Sequence, residues 1–200
     1  MQHNQTEELG SCSVGKLLFK LAVPAIAAQI INLLYNLVDR MYIGHIANVG
    51  KLALTGVGVC LPLIMLISAF AALVSMGAAP RASIFLGKGE KDNAEKTLGN
   101  SFSLLIILSL IITVIFSLFS KDLLLIFGAS ENTIEFAVSY MKIYSLGTIF
   151  VQLTLGLNAF ISAQGFAKTS MMTVLIGAIF NIILDPIFIL DSIWEYLVPR

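Results

Sequence analysis

The sequence predicts an all-α polytopic membrane protein with about five transmembrane helices. Three observations carry that expectation. Of its 200 residues, 58% are hydrophobic and 12% charged, with a mean hydropathy of +0.92; a soluble domain carries about 25% charge. Five apolar runs, at about 17–43, 52–79, 100–119, 140–163 and 170–190, each supply the ~20 residues needed to cross the hydrocarbon core. The runs lack the strict alternation of a barrel strand, and backbone groups in lipid must be satisfied within the segment, so helices are expected.

Charge and cysteine content narrow the function classes. The formal net charge is zero, which gives no basis for a nucleic-acid partner. The cysteines, Cys12 in the polar N-terminal tail and Cys60 in an apolar run, have neither disulfide-framework nor metal-type spacing.

The first run follows a polar tail, residues 1–15, that is expected to be cytoplasmic. It is too long for a signal peptide, carries Pro24 inside, and lacks an A-x-A site before a polar start. After the second run, GKGEKDNAEK (87–96) predicts a turn and a helix start, with Asp92 as cap and Glu95 three residues on. Its GKG lacks the spacing of a phosphate loop, and no strand precedes it. After the third run, FGASENTIE (127–135) predicts another turn, with Ser130 or Asn132 as the cap. The fourth run predicts one helix across 140–163. The fifth ends in NIILDPIFIL, which places Asn181 and Asp185 among apolar residues, with Pro186 following.

Lys and Arg predict the orientation. Lys16 and Lys20 precede the first helix; Arg81, Lys88, Lys91 and Lys96 crowd the second connection; Lys168 lies in the fourth. The opposite connections hold mainly Lys51 and Lys121. The N-terminus is therefore expected in the cytoplasm and the end of the fifth helix outside.

Polar residues inside the runs fall into stripes. Gln29, Asn32, Asn36 and Asp39 recur at spacings of three and four, so they share one helix face, and Tyr35 flanks them. Thr154, Asn158 and Ser162 form a second stripe, and Thr173, Gly177, Asn181 and Asp185 a third. Gln29, Asn32, Thr154, Ser162 and Thr173 read as hydrogen-bonding glue between helices; Ser68, Ala72, Gly77 and Gly156 read as close-packing positions. The acids need a further reason. A carboxylate at a helix centre costs roughly 2.5–3.5 kcal/mol on insertion scales, while an interhelical hydrogen bond recovers about 0.6 kcal/mol on average. Arg40 beside Asp39 is a weak partner, since adjacent helical residues do not face each other. Pro186 removes a helix hydrogen bond and can bend the chain beside Asp185, baring carbonyl oxygens. A carboxyl held away from water takes up a proton or a cation, and neutralising it lets its helix repack.

The segments PAIAAQIINLLYNLVDRMYIGHI, LNAFISAQGFAKTSM and NIILDPIFI resemble the first helix, the end of the fourth and the fifth helix of the multidrug and toxic compound extrusion (MATE) transporters. The resemblance runs from about residue 14 to 190. It implies a twelve-helix protein of two six-helix halves that exchanges H+ or Na+ for organic, often cationic, drugs. Residues 16–190 would then be helices one to five of the six-helix N-terminal lobe, with the C-terminal lobe missing. Carried over, the coupling-cation or proton site is Asp39, Asp185, Asn181 and Asn158, with Na+ a candidate at Asp39, Asn181 and Asp185. Tyr35 lines the same cavity, together with Asn36, Asn32 and Gln29 of its stripe. The partners implied are the lipid bilayer and an organic cation or drug. The location implied is the plasma membrane, a bacterial inner membrane crossed several times. No cofactor beyond the coupling ion and no enzyme activity are expected.

Residues 191–200, DSIWEYLVPR, depart from the family. LVPR matches the left side of a thrombin site, the mark of an engineered scar. Read one base earlier, the Trp194–Glu195 junction forces a Gly codon whose neighbours permit G-F-D-M-G-V-L-G-A-A, the family's usual continuation. A frameshift is the expectation. Competing functions are a lipid-linked sugar flippase of similar architecture, which would favour a basic cavity, and a non-transporting membrane fragment. An intramembrane aspartyl protease would need Tyr-Asp or Gly-x-Gly-Asp contexts that Asp39 and Asp185 lack.

Overall fold

The computed structural model describes the backbone of residues 13–46 and 49–197, and side chains as far as residue 184. Six helices follow one another: α1 (Val14–Gly44), α2 (Gly50–Gly87), α3 (Lys91–Ile126), α4 (Ile134–Leu146), α5 (Thr148–Ala163) and α6 (Ala167–Leu197). Helices α1, α2, α3 and α6 are each long and apolar enough to cross a membrane, and α4 with α5 passes the same test as a bent pair, for up to the five expected passes.

The predicted single helix over 140–163 is corrected: α4 and α5 meet at 58° around Gly147. The cause is local hydrogen-bond chemistry. Ser145 Oγ donates to Lys142 O at 2.8 Å and Thr148 Oγ1 to Tyr144 O at 3.3 Å, so hydroxyls on both sides of the break bond back to the helix. Such back-bonding favours bending. The carbonyl of Ser145, which also accepts a backbone N–H at the end of α4, accepts from Thr113 Oγ1 of α3 at 2.9 Å, so α3 holds the bend from the side. Thr113→Val keeps the shape and deletes that donor. It is expected to lower thermal stability in detergent by about 1 kcal/mol; an unchanged melting curve would show that the bend holds itself.

Three connections use one device. In the α2–α3 turn, Gly89 N–H donates to Leu86 O at 3.0 Å and Glu90 N–H to Phe85 O at 2.9 Å. Gly89 has φ +79°, the left-handed conformation this Schellman ending needs. Gly128 and Gly165 repeat the pattern after α3 and α5. The predicted caps shift. Asp92 lies inside the first turn of α3, whose cap position is Glu90; Asn93 Nδ2 donates to Glu90 Oε2 at 2.8 Å. The cap position of α4 is Thr133 rather than Ser130 or Asn132, and Thr133 Oγ1 accepts from Ser130 N–H at 3.0 Å. In both turns the helix begins where the backbone leaves the glycine turn, which the choice of side chains alone does not fix.

Helix α3 runs antiparallel to α2 and to the α4–α5 pair, and the four pack in three layers. Cys60, Leu63 and Ile67 meet Ile112, Phe116, Ala137 and Met141 at one end. Ala71 and Val74 meet Leu105 in the middle. Ala79 and Ala82 meet Phe160 at the other end, where Ser83 Oγ also donates to Ala163 O at 2.6 Å. Gly156 fits its expected packing role, since a Cβ there would lie 2.4 Å from Leu105 Cδ1. Gly77 does not: it is exposed and nothing lies within 4 Å of a Cβ built on it. Buried serines line α3, at Ser101, Ser109 and Ser120, so its packed face carries hydroxyls as well as apolar side chains. The outer surface is apolar, with Leu118, Leu33 and Phe150 all more than two-thirds exposed. A soluble monomer rarely shows so continuous an apolar surface.

Candidate ion and substrate site

Helix α1 buries little besides Pro24 and lies chiefly along α6, which in turn packs on α5. The helices bearing the three predicted stripes are thus consecutive neighbours. On α1, Asn32, Tyr35, Asn36 and Asp39 are half-buried, while Gln29 is exposed. Asn36 Nδ2 donates to Asn32 O at 2.7 Å and to Asn32 Oδ1 at 3.1 Å, so these two amides are tied to their own helix.

Asp39 interacts electrostatically with Arg40 and, across the bundle, with Tyr140 of α4. Tyr35 is coupled in the same way to Tyr144. The rings of Tyr140 and Tyr144 stack, with centroids 6.1 Å apart and planes at 20°. Tyr140 and Tyr144 thus form an aromatic wall on α4 within electrostatic range of the acidic end of α1. Sequence reasoning absorbed these tyrosines into an apolar run. Their spacing of four in YMKIY was the available signal, since it puts both on one helix face.

On α5, Asn158 is half-buried, and its Oδ1 is fully buried without a hydrogen-bond partner. Asn181 Oδ1 on α6 is in the same state. A buried polar atom left unpaired costs about 1–3 kcal/mol, so two of them on neighbouring helices need a reason. Thr154, Thr173 and Gly177 are exposed and Ser162 is half-buried; Thr173 Oγ1 only bonds back to Ser170 O at 2.7 Å. The stripe on α6 therefore narrows to Asn181 among the described side chains. Helix α6 continues through residues 185 and 186, and the side chain of Asp185 lies outside the described residues.

A third orphan has a different character. Gln152 is fully buried; its Nε2 donates to Ile67 O at 2.8 Å, while Oε1 has no partner. It clamps α5 to α2, a role the stripes did not reveal. Gln152→Leu loses one modest hydrogen bond and removes one orphan, so stability in a detergent melt is expected to stay within about 1 kcal/mol. A loss several times larger would show that Oε1 is bonded in solution.

Among the described residues no group of three His, Cys, Asp or Glu side chains comes together. The polar groups these helices carry are a carboxylate, phenols and amide oxygens. These are hard donors suited to a proton or an oxygen-loving cation rather than a thiolate-type metal.

An apolar all-helical shell with polar residues on its spans is the build of a multi-pass membrane protein. The chain belongs to the MatE family, whose sequence pattern matches residues 24–187. It is 30% identical over 191 residues to the multidrug export protein MepA of Staphylococcus haemolyticus, covering 94% of this chain and 41% of that one. It is 25% identical over 179 residues to a FAD transporter of Shewanella oneidensis, covering 90% and 39%. Its fold matches an outward-facing multidrug resistance MATE family transporter with a TM-score of 0.80 at 27% identity, over 87% of this chain and 38% of that one. The chain thus spans about two fifths of the length of the relatives it matches. The resemblance seen in the three quoted segments is borne out.

Proposed function

We propose that the chain is the N-terminal lobe of a multidrug exporter that exchanges Na+ or H+ for organic, often cationic, drugs. The observation that carries this reading is the pair of buried, unpartnered amide oxygens, Asn158 Oδ1 and Asn181 Oδ1, on helices that pack together. With Asp39 and Asp185 they supply oxygen donors for a cation, or acceptors for the hydrogen of a protonated carboxyl. The Tyr140–Tyr144 stack offers a π face to a flat or cationic substrate. Alternating access needs a second lobe rocking against this one, so the lobe by itself carries the ion switch and one wall of the drug cavity. The reading puts the protein in a bacterial inner membrane with its N-terminus cytoplasmic, on the distribution of Lys and Arg.

In this mechanism the intramembrane acids hold either a proton or a cation. Filling the site ties α1, α5 and α6 together through shared oxygen ligands. Emptying it restores repulsion and desolvation cost, and biases the helices toward a second packing. A flavin carrier remains the second reading, favoured by the Shewanella relative and the stacked tyrosines. A lipid-linked sugar flippase is disfavoured because the polar seam presents an acid to the aromatic wall.

The test is thermal stability of the purified chain in detergent against sodium concentration and pH. A dependence on either is expected, and Asp185→Asn should remove it. A dependence that persists in the variant would sink the assigned site.

A further inference from the structure

A polar cavity, of about 460 Å³, opens between the C-terminal half of α2 and the N-terminal half of α3, far along α2 from the aromatic wall. We propose that it binds the phosphate of an anionic lipid headgroup. Its polar lining comes from Arg81 on α2 and from Asn93, Lys96, Thr97 and Asn100 on α3. The α3 residues recur at spacings of three and four, so one face of that helix carries them all. Glu95 falls on another face, Asp92 lies one turn before Lys96 at the edge of this one, and Glu90 is already engaged by Asn93 Nδ2.

Among the described residues neither Arg81 nor Lys96 is paired with a carboxylate; the Arg81 guanidinium sits 5.6 Å from the centroid of the Phe85 ring, which steadies it. Among the described residues the Asn100 amide likewise makes no hydrogen bond. Guanidinium, ammonium and amide donors around one cavity match a phosphodiester, and the guanidinium fork suits its paired oxygens.

Its surroundings select a lipid over a free anion. Leu73 and Met76 on α2 are 71% and 78% exposed, and Phe102 on α3 is 42% exposed. They continue from the cavity along the same two helices into the apolar shell, where acyl chains would lie. Gly77 adds open space in the wall, with nothing within 4 Å of a Cβ built on it. The cavity thus stands at the polar–apolar boundary, at the end of the bundle where basic residues concentrate. Basic pockets between membrane helices at that level suit anionic headgroups.

The full chain in neutral detergent is titrated with phosphatidylglycerol, phosphatidylcholine or inorganic phosphate, with the melting temperature as readout. Phosphatidylglycerol is expected to raise it saturably, and the other two to leave it nearly unchanged. Arg81→Ala with Lys96→Ala should weaken the phosphatidylglycerol effect on the order of tenfold or more. Lys88→Ala, in the same connection but outside the cavity, should not. The proposal is overturned if phosphatidylcholine or inorganic phosphate acts as strongly as phosphatidylglycerol. It is equally overturned if Lys88→Ala weakens the effect as much as the double variant, or if the double variant keeps it whole. Should the double variant fail to fold, Gly77→Leu fills the cavity from an open position. Loss of the phosphatidylglycerol effect there supports the site, and its retention overturns it.

Discussion

Asn158→Leu and Asn181→Leu are each expected to raise the stability of the chain in ion-free detergent while removing its response to the coupling ion. Each variant replaces an amide whose oxygen is buried and unpartnered with an apolar side chain of similar size. Deleting such an orphan is worth roughly 1–3 kcal/mol. The same oxygens are the ligands that distinguish an occupied site from an empty one. A ligand at a hundred times its Kd stabilises by about 2.7 kcal/mol, and that increment should vanish in the variants. Unfolding curves with and without sodium, across a pH series, read both effects together. A variant that is less stable than the parent in ion-free buffer would show that the amide oxygen has a protein partner, and the ligand role would fall.

Gly156→Ala is expected to destabilise by about 1–3 kcal/mol, the usual cost of overpacking. The new Cβ would stand 2.4 Å from Leu105 Cδ1 and 2.9 Å from its Cδ2. Leu105 is fully buried in the middle layer against Ala71 and Val74, so it has little room to turn away. The neighbouring Asn158 lies half a turn further along α5, so the strain should also blunt ion-dependent stabilisation. Leu105→Val in the same chain frees space and should recover part of the loss, a coupling read from a double-mutant cycle of melting temperatures. Strictly additive effects would mean that the two residues do not share the contact.

Much of this was legible in the sequence because membrane helices obey blunt rules. Run length fixed the number of spans, and the spacing of Asn32, Asn36 and Asp39 fixed their common face. Gly89 and Gly128 fall in the two turns that the residues at 87–96 and 127–135 predict. What escaped depends on neighbours. The bend at Gly147 rests on hydroxyls that back-bond locally and on Thr113 reaching in from another helix. No periodicity in 140–163 announces that. Gly77 and Gly156 look alike as letters, yet one faces open space and the other Leu105. Gln152 and the pair Tyr140–Tyr144 gained meaning only once α4 and α5 were set against α2 and α1.

The most direct test of the ion switch is difference infrared spectroscopy of the carboxyl C=O band on adding sodium or raising pH. An intramembrane acid that trades its proton for a cation must lose a protonated-carboxyl band. The account predicts that loss in the parent chain, and its disappearance in Asp39→Asn combined with Asp185→Asn. An unchanged spectrum in the parent, or the same loss in the double variant, would contradict it.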